Sequence, residues 1–205
     1  MKQPKAPVNA LQDAESVRAV SNYLLTHYRE GGLYRLVFLA GCNTGLPASD
    51  LLSLTVGDYR RGFVETAEGN AKRKRLVIFN PAVTRAFEDY VKANGIVWWN
   101  DLVFVASSRA SPHFDIKYMH RLISGACYAL GLRGNWGAGA MRKTFALALY
   151  RETGSVRAVK DALRLRNISA ARACIGYING APPAERDPPF TYASAGELYK
   201  LVNFY

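Results

Sequence analysis

The stretch Gly139–Tyr177, GAMRKTFALALYRETGSVRAVKDALRLRNISAARACIGY, decides the fold of this 205-residue chain. Its first part carries apolar residues at helical spacing, which predicts a helix with one buried face. Those apolar positions are Met141, Phe145, Ala148 and Leu149. Gly154 is a stop signal, and Ser155 can cap a second helix. The residues from Ile168 to Tyr177 predict a third, shorter helix.

The second helix of this stretch carries two stripes at helical spacing. One stripe is apolar and is expected to face the core: Val156, Val159 and Leu163. The other stripe is basic and is expected on a different face: Arg157, Lys160 and Arg164. The pattern is typical of a helix that packs on one side and binds an anion on another.

Positive charge is concentrated in this part of the chain. The whole sequence has 27 Lys and Arg against 16 Asp and Glu, a net charge of +11. Residues 121–172 hold ten of the basic residues and two acids, and a second basic run is Lys72–Arg75. Clustered positive charge favours an anionic partner. Nucleic acid is the first interpretation, and an acidic membrane surface is the second.

Composition indicates a soluble globular protein, with 49% hydrophobic and 21% charged residues. The length fits one domain with a substantial core. Cys42, Cys127 and Cys174 have no short spacing between them, which favours reduced thiols in a cytoplasmic protein over disulfides. Three histidines and no Cys-x-x-Cys argue against a metal site, and no cofactor is expected. No apolar run approaches the length of a membrane span, so no membrane partner is expected.

The remaining pattern predicts a mainly α fold with a small antiparallel β-sheet (α+β). Two strands should be joined by a basic turn, and a short third strand is expected at 102–106. The strands are Gly62–Thr66 and Arg75–Phe79. Helices are expected at Asp13–Tyr28 (with Val17, Val20, Leu24 and Leu25 inward), Leu33–Cys42, within Thr44–Leu54, at Pro81–Asn94 and at Ile116–Leu130.

Three regions are predicted along the chain. Residues 1–11 form a flexible N-terminal segment, residues 12–179 form the domain, and residues 180–205 form a Pro-rich arm with a C-terminal helix. An apolar helix on an extended arm must dock, on its own domain or on a neighbouring copy. Self-association through this tail is therefore expected.

Several motifs resemble the tyrosine recombinases, also called phage integrases. Arg142-Lys143-Thr144-Phe145 resembles the family's His-x-x-Arg motif from its Arg onward, and Asn43–Leu54 resembles its Thr-Gly-Leu-Arg segment. Ala162-Leu163 and Ile168 resemble the helix that ends in Leu-Gly-His, and Gly69–Pro81 resembles a basic β-hairpin. The resemblance spans residues 12–177 and implies the fold of the family's catalytic domain and a duplex-DNA partner.

The family's catalytic residues are mostly replaced. Its first Arg falls on Pro47, and its two His positions fall on Gly139 and Leu165. Its nucleophilic Tyr falls on Cys174, and Tyr177 lies one helical turn beyond. The hairpin Lys falls near Glu68 or Lys72, depending on where a gap is placed. No catalytic residue is therefore expected, and four remnants are left: Arg142, Lys72, Tyr177 and Cys174.

The resulting hypothesis is a DNA-binding protein with a recombinase-like fold that does not cut DNA. It would act as a regulator, for example of transcription, or as an accessory factor in mobile-element biology. The predicted DNA-binding residues are Lys72, Arg73, Lys74, Arg75, Arg121, Arg142, Lys143, Arg157, Lys160, Arg164 and Arg166. Two alternatives stay open: a divergent site-specific recombinase that uses Tyr177, Arg142 and Lys72, and a protein-interaction module derived from a recombinase.

Overall fold

A computed structural model describes residues 7–66, 75–95, 102–104 and 115–176 of the chain. Within these residues the fold is mainly helical with a two-stranded antiparallel sheet, as predicted. The elements are α1 (Ala14–His27), α2 (Gly31–Thr44), α3 (Ala48–Leu52), α4 (Val56–Arg61), β1 (Phe63–Thr66), β2 (Arg75–Ile78), α5 (Pro81–Asn94), α6 (Ile116–Ala129), α7 (Gly139–Thr153), α8 (Val156–Ala162) and α9 (Ile168–Ile175).

Helix α2 is the centre of the main core. Twelve of its fourteen residues are buried, because most of its sequence is apolar or small. It packs against α1, α5 and α7. A buried amide pair fixes its end, where Asn80 Nδ2 donates to Asn43 Oδ1 at 2.7 Å. The Asn80 side chain also caps α5, so one residue joins two helices.

A second, smaller core lies among α7, α8 and α9. It is built from apolar residues on the facing sides of the three helices: Phe145, Ala146, Leu149, Val159, Ala162, Leu163, Ala171 and Ile175. Helix α7 contributes residues to both cores, since Met141 and Ala148 belong to the main one. The three helices therefore form a unit that α7 joins to the rest of the domain.

The two strands pair as predicted, from Phe63 opposite Ile78 to Thr66 opposite Arg75. The expected third strand is reduced in the described residues to one isolated bridge, Thr55 with Leu102. Val103 donates its backbone N–H to the Leu54 carbonyl at 3.0 Å, and Phe104 is buried after it.

Polar residues cap two helices at the N-termini that were predicted from the sequence. Asp13 accepts from the backbone N–H of Ser16 at 2.7 Å, and Ser155 accepts from that of Ala158 at 3.1 Å. Gly154 ends α7 in the left-handed conformation, with φ of 62°. Helix α4 was not predicted; a capping box between Thr55 and Asp58 starts it.

Two local expectations are wrong. Leu25 is 39% exposed and does not face the core. Part of the segment expected to be flexible is packed: Leu11 is 1% exposed, and its backbone N–H donates to Thr144 Oγ1 at 2.9 Å. Asn9 exchanges two hydrogen bonds with Asn135, so the chain is held against the approach to α7 before α1 begins.

Some predicted features lie outside the described residues: the hairpin tip with Lys72, Arg73 and Lys74, the side chain of Arg75, Tyr177, and the tail from 180 onward. Among the helices that the structure describes, none is long and apolar enough to cross a membrane.

Candidate nucleic-acid interface

Arg142 lies where the turn after α2, helix α7 and the end of α8 meet. It stands one turn into α7 and is half-buried. Its Nη1 donates to the carbonyl oxygen of Gly45 at 2.8 Å, and its Nη2 donates to that of Leu163 at 2.7 Å. The guanidinium thus joins three parts of the chain: the turn between α2 and α3, helix α7, and the end of α8.

The turn at Gly45 comes so close to α7 because the residue has no side chain. Its φ is +63°, and a Cβ there would lie 2.4 Å from Cδ1 of Phe145. Two residues on, Pro47 is the N-cap residue of α3 and provides no side-chain cap. Proline is tolerated at a helix start because no helical N–H bond is lost. Pro47 is therefore compatible with the fold but supplies no positive charge.

Leu165 and Cys174 both pack, half-buried, against the second core. Burial raises the pKa of the Cys174 thiol, while the nearby charges of Lys143 and Arg142 act in the lowering direction. Lys143 Nζ lies 3.5 Å from the carbonyl oxygen of Ala173. The structure therefore places Arg142, Lys143 and Cys174 near one another.

This group is poorly suited to nucleophilic chemistry. A thiol with a raised pKa is mostly protonated at neutral pH, and the thiolate is the reactive form. Leu165 has no proton to donate, and Gly139, at the start of α7, has no side chain. The group can place positive charge beside an anion, because Lys143 and Arg142 are both cations.

Exposed basic residues surround the three-helix unit. Residues 139–176 contain eight Lys and Arg and two acids. Arg157, Arg166 and Arg172 are exposed, and Lys143, Lys160 and Arg164 are half-buried. We call these six residues the basic surface. Arg172 was not among the predicted DNA-binding residues, although its charge belongs to the basic cluster at residues 121–172 that indicated an anionic partner.

Two members of the basic surface differ from the expected stripe. Lys160 Nζ lies 2.8 Å from Asp161 Oδ1, so part of its charge is already compensated. Arg164 is not on the helix at all, because α8 ends at Ala162, with Leu163 as its cap. The basic stripe at helical spacing is therefore wrong at its last position.

Helix α6 carries one further residue of the predicted set, Arg121, and a histidine that lies beside the start of α7. Arg121 is exposed, with its guanidinium carbon 5.8 Å from the Tyr118 ring centroid. The His120 ring lies directly against Gly137, where an added Cβ would come within 2.1 Å of Nδ1. Only a glycine at 137 permits this contact. The sequence showed His120 as a surface residue but gave no signal for its place beside α7.

Comparison with known proteins identifies relatives of this fold. The model of the phage integrase family matches residues 14–174. No curated protein sequence matches the chain significantly. Among solved structures, XerA recombinase superposes with a TM-score of 0.65 at 18% identity, covering 85% of this chain and 60% of that one.

Two further structures show the same fold. XerH site-specific recombinase, solved bound to a palindromic difH substrate, gives a TM-score of 0.62 at 17% identity, with 82% of this chain and 50% of that chain covered. An integrase from mycobacterium phage Brujita gives 0.55 at 16% identity, with 99% and 66% covered. The match thus extends over only about half to two-thirds of the length of these proteins.

Proposed function

The chain belongs to the phage integrase family, and from that premise we propose that it binds duplex DNA through the basic surface without cutting it. The observation that carries the proposal is the arrangement around Arg142. Its guanidinium is hydrogen-bonded to two main-chain carbonyls, while positions 47, 139, 165 and 174 carry Pro, Gly, Leu and Cys.

Phosphodiester cleavage needs several groups that act together on a charged transition state. Losing one positioned donor costs about 3 kcal/mol of transition-state stabilisation, and such donors act as a set. Neither Pro47, Gly139 nor Leu165 can donate a hydrogen bond from its side chain to a phosphoryl oxygen. The remaining cations suffice for holding a phosphate, which needs charge and no nucleophile.

Binding is supported by charge and by fold. Phosphate contacts from Lys and Arg supply most of the affinity of proteins for DNA backbone. The described three-helix unit has four times as many basic as acidic residues, and the XerH structure of the same fold contains its DNA substrate. A protein that binds without cutting would act as a regulator or an accessory factor in mobile-element biology.

A charge-reversal experiment tests the surface. Replacing Arg157, Arg166 and Arg172 with Glu should weaken binding to a duplex by at least 100-fold in a fluorescence anisotropy titration. The plot of log affinity against log salt should become less steep, with the magnitude of its negative slope smaller by about three, because three phosphate contacts are lost.

A matched control keeps the same change in net charge elsewhere. Arg18, Arg29 and Arg85 are also exposed, but they lie on α1, before α2 and on α5. Their triple replacement with Glu should weaken binding much less. Equal losses in the two triple variants would show that net charge alone drives binding and that the basic surface is wrongly assigned.

A further inference from the structure

A small cleft lies where the end of α1 meets the first half of α2 and the second half of α5. Its volume is about 250 Å³, and its apolar lining includes the buried residues Leu33, Ala86 and Tyr90. Leu25, which is 39% exposed, lines it as well. Sites for drug-sized ligands measure about 300–1,000 Å³, so this cleft has room for a smaller molecule only. It shares no lining residue with the basic surface.

Arg35 places a cation in the wall of this cleft. It is the one charged residue of α2, and its Nε atom is buried without a hydrogen-bond partner among the described residues. Its Nη1 atom lies 3.9 Å from Oδ2 of Asp89, a side chain that is 68% exposed. A long, exposed ion pair of this kind contributes little. The Arg35 side chain, itself 31% exposed, is therefore able to pair with a bound anion.

Glu30 places an anion in the same lining. It is the N-cap residue of α2, but its side chain makes no capping hydrogen bond. Burial raises the pKa of the Tyr90 hydroxyl, and the negative charge of Glu30 adds to that rise. The Glu30 charge thus acts on the part of the cleft that Tyr90 lines, where it favours a cationic group.

The charges that line the cleft are balanced. Arg29 and Arg35 are basic, and Glu30 and Asp89 are acidic. A ligand with only one charged group would meet like charges as well as opposite ones, whereas a zwitterion can complement both signs. The apolar lining favours an apolar body between or beside those groups.

We infer that this cleft binds a free amino acid with an apolar side chain. Its carboxylate pairs with Arg35, its ammonium group pairs with Glu30, and its side chain contacts the apolar lining. This site is independent of the basic surface, so a failure of the inference leaves the proposed DNA binding intact.

Isothermal titration calorimetry of the full chain with L-leucine, L-valine and L-phenylalanine tests the site. At least one of them should bind at one site per chain with a Kd below about 1 mM. For the tightest of the three, the matching amine and the matching carboxylic acid each lack one charged group. Both should bind about tenfold more weakly, because each loses one charge-assisted contact.

Two substitutions test the charged groups. Arg35→Met and Glu30→Gln should each weaken binding of the amino acid about tenfold. The matching amine should bind Arg35→Met as it binds the wild-type protein, because it has no carboxylate to lose; damage to the fold would weaken both ligands. Arg85→Met and Glu88→Gln are the matched controls, since both residues are exposed on α5 and do not line the cleft. Neither control should change the Kd.

Gly32→Leu tests the cavity without changing a charge. Gly32 lines the cleft, and a Cβ there would lie 3.4 Å from Cδ2 of Tyr90, in ordinary contact. Leucine also favours a helix more than glycine does, so the variant should fold, as its thermal unfolding will show, and should lose the ligand. Unchanged binding by Gly32→Leu would overturn the inference, as would no binding of any of the three amino acids. A carboxylic acid or an amine that binds as tightly as the amino acid would overturn the assignment of a zwitterion.

Discussion

Arg142 and Gly45 lie 97 residues apart in sequence, and the Arg142 Nη1 atom donates to the Gly45 carbonyl oxygen at 2.8 Å. The contact fixes the turn after α2 against α7, and the second bond of the same guanidinium, to Leu163, fixes the end of α8. The one arginine that the motifs retain is therefore also a structural link between the main core and the three-helix unit.

Replacing Arg142 with Met should destabilise the fold. A hydrogen bond from a charged donor contributes about 1.5–3 kcal/mol, and two half-buried bonds are lost. We expect the free energy of unfolding to fall by about 3 kcal/mol, measured by urea denaturation followed by circular dichroism. Arg166→Met, at an exposed position, should change it by less than about 0.5 kcal/mol. A loss below about 1 kcal/mol for Arg142→Met would show that the two bonds do not hold the elements together.

The N-terminal segment around Leu11, which packs on the domain, leads to a second prediction. Leu11 is 1% exposed, so Leu11→Ala should lower the free energy of unfolding by about 2–4 kcal/mol. Leu25→Ala is the control, because Leu25 is 39% exposed and should cost under about 1 kcal/mol. The same urea titration compares the two variants. Equal losses would mean that the segment around Leu11 is not anchored against α7 as described.

The Cys174 thiol should react slowly with alkylating reagents at neutral pH. Burial raises its pKa, so its thiolate fraction is smaller than that of an unhindered cysteine, and its iodoacetamide rate should still be rising above pH 9. Lys143 acts to lower this pKa, so Lys143→Met should slow the reaction further, whereas Arg157→Met should leave it unchanged.

Peptide mass spectrometry separates this thiol from the other two. Cys42 and Cys127 are fully buried, and burial raises the pKa of Cys127 to about 12, so both should stay unmodified in the native protein. A rate for Cys174 that levels off below pH 8 would instead indicate an activated thiol and would reopen a nucleophilic role.

Local patterns predicted most of the elements, since capping residues and apolar spacing act within a few residues. Asp13, Ser155 and Gly154 are examples in which a short-range signal was sufficient. The capping box of α4 was also local, but its helix is only six residues long and has no periodic pattern.

Contacts between distant segments were not predictable in this way. The anchoring of Leu11 depends on Thr144, and the position of Arg142 depends on Gly45 and Leu163. The conformation of Arg164 could not be read from its sequence either, because spacing continued the helix through it and the structure ends that helix at Ala162. The basic residues could be identified from the sequence, whereas their positions in the structure depend on tertiary contacts.

The central claim is that this protein binds duplex DNA without forming a covalent bond to it. The most direct measurement uses a set of duplexes that the protein binds, each nicked at a different position of one strand, because a nick traps a covalent intermediate if one forms. Under conditions where the wild-type protein is saturated with DNA, a denaturing gel should show no protein–DNA adduct. An adduct that disappears in Tyr177→Phe would contradict the account and establish a divergent recombinase, and one lost only in Cys174→Ala would contradict it through thiol chemistry.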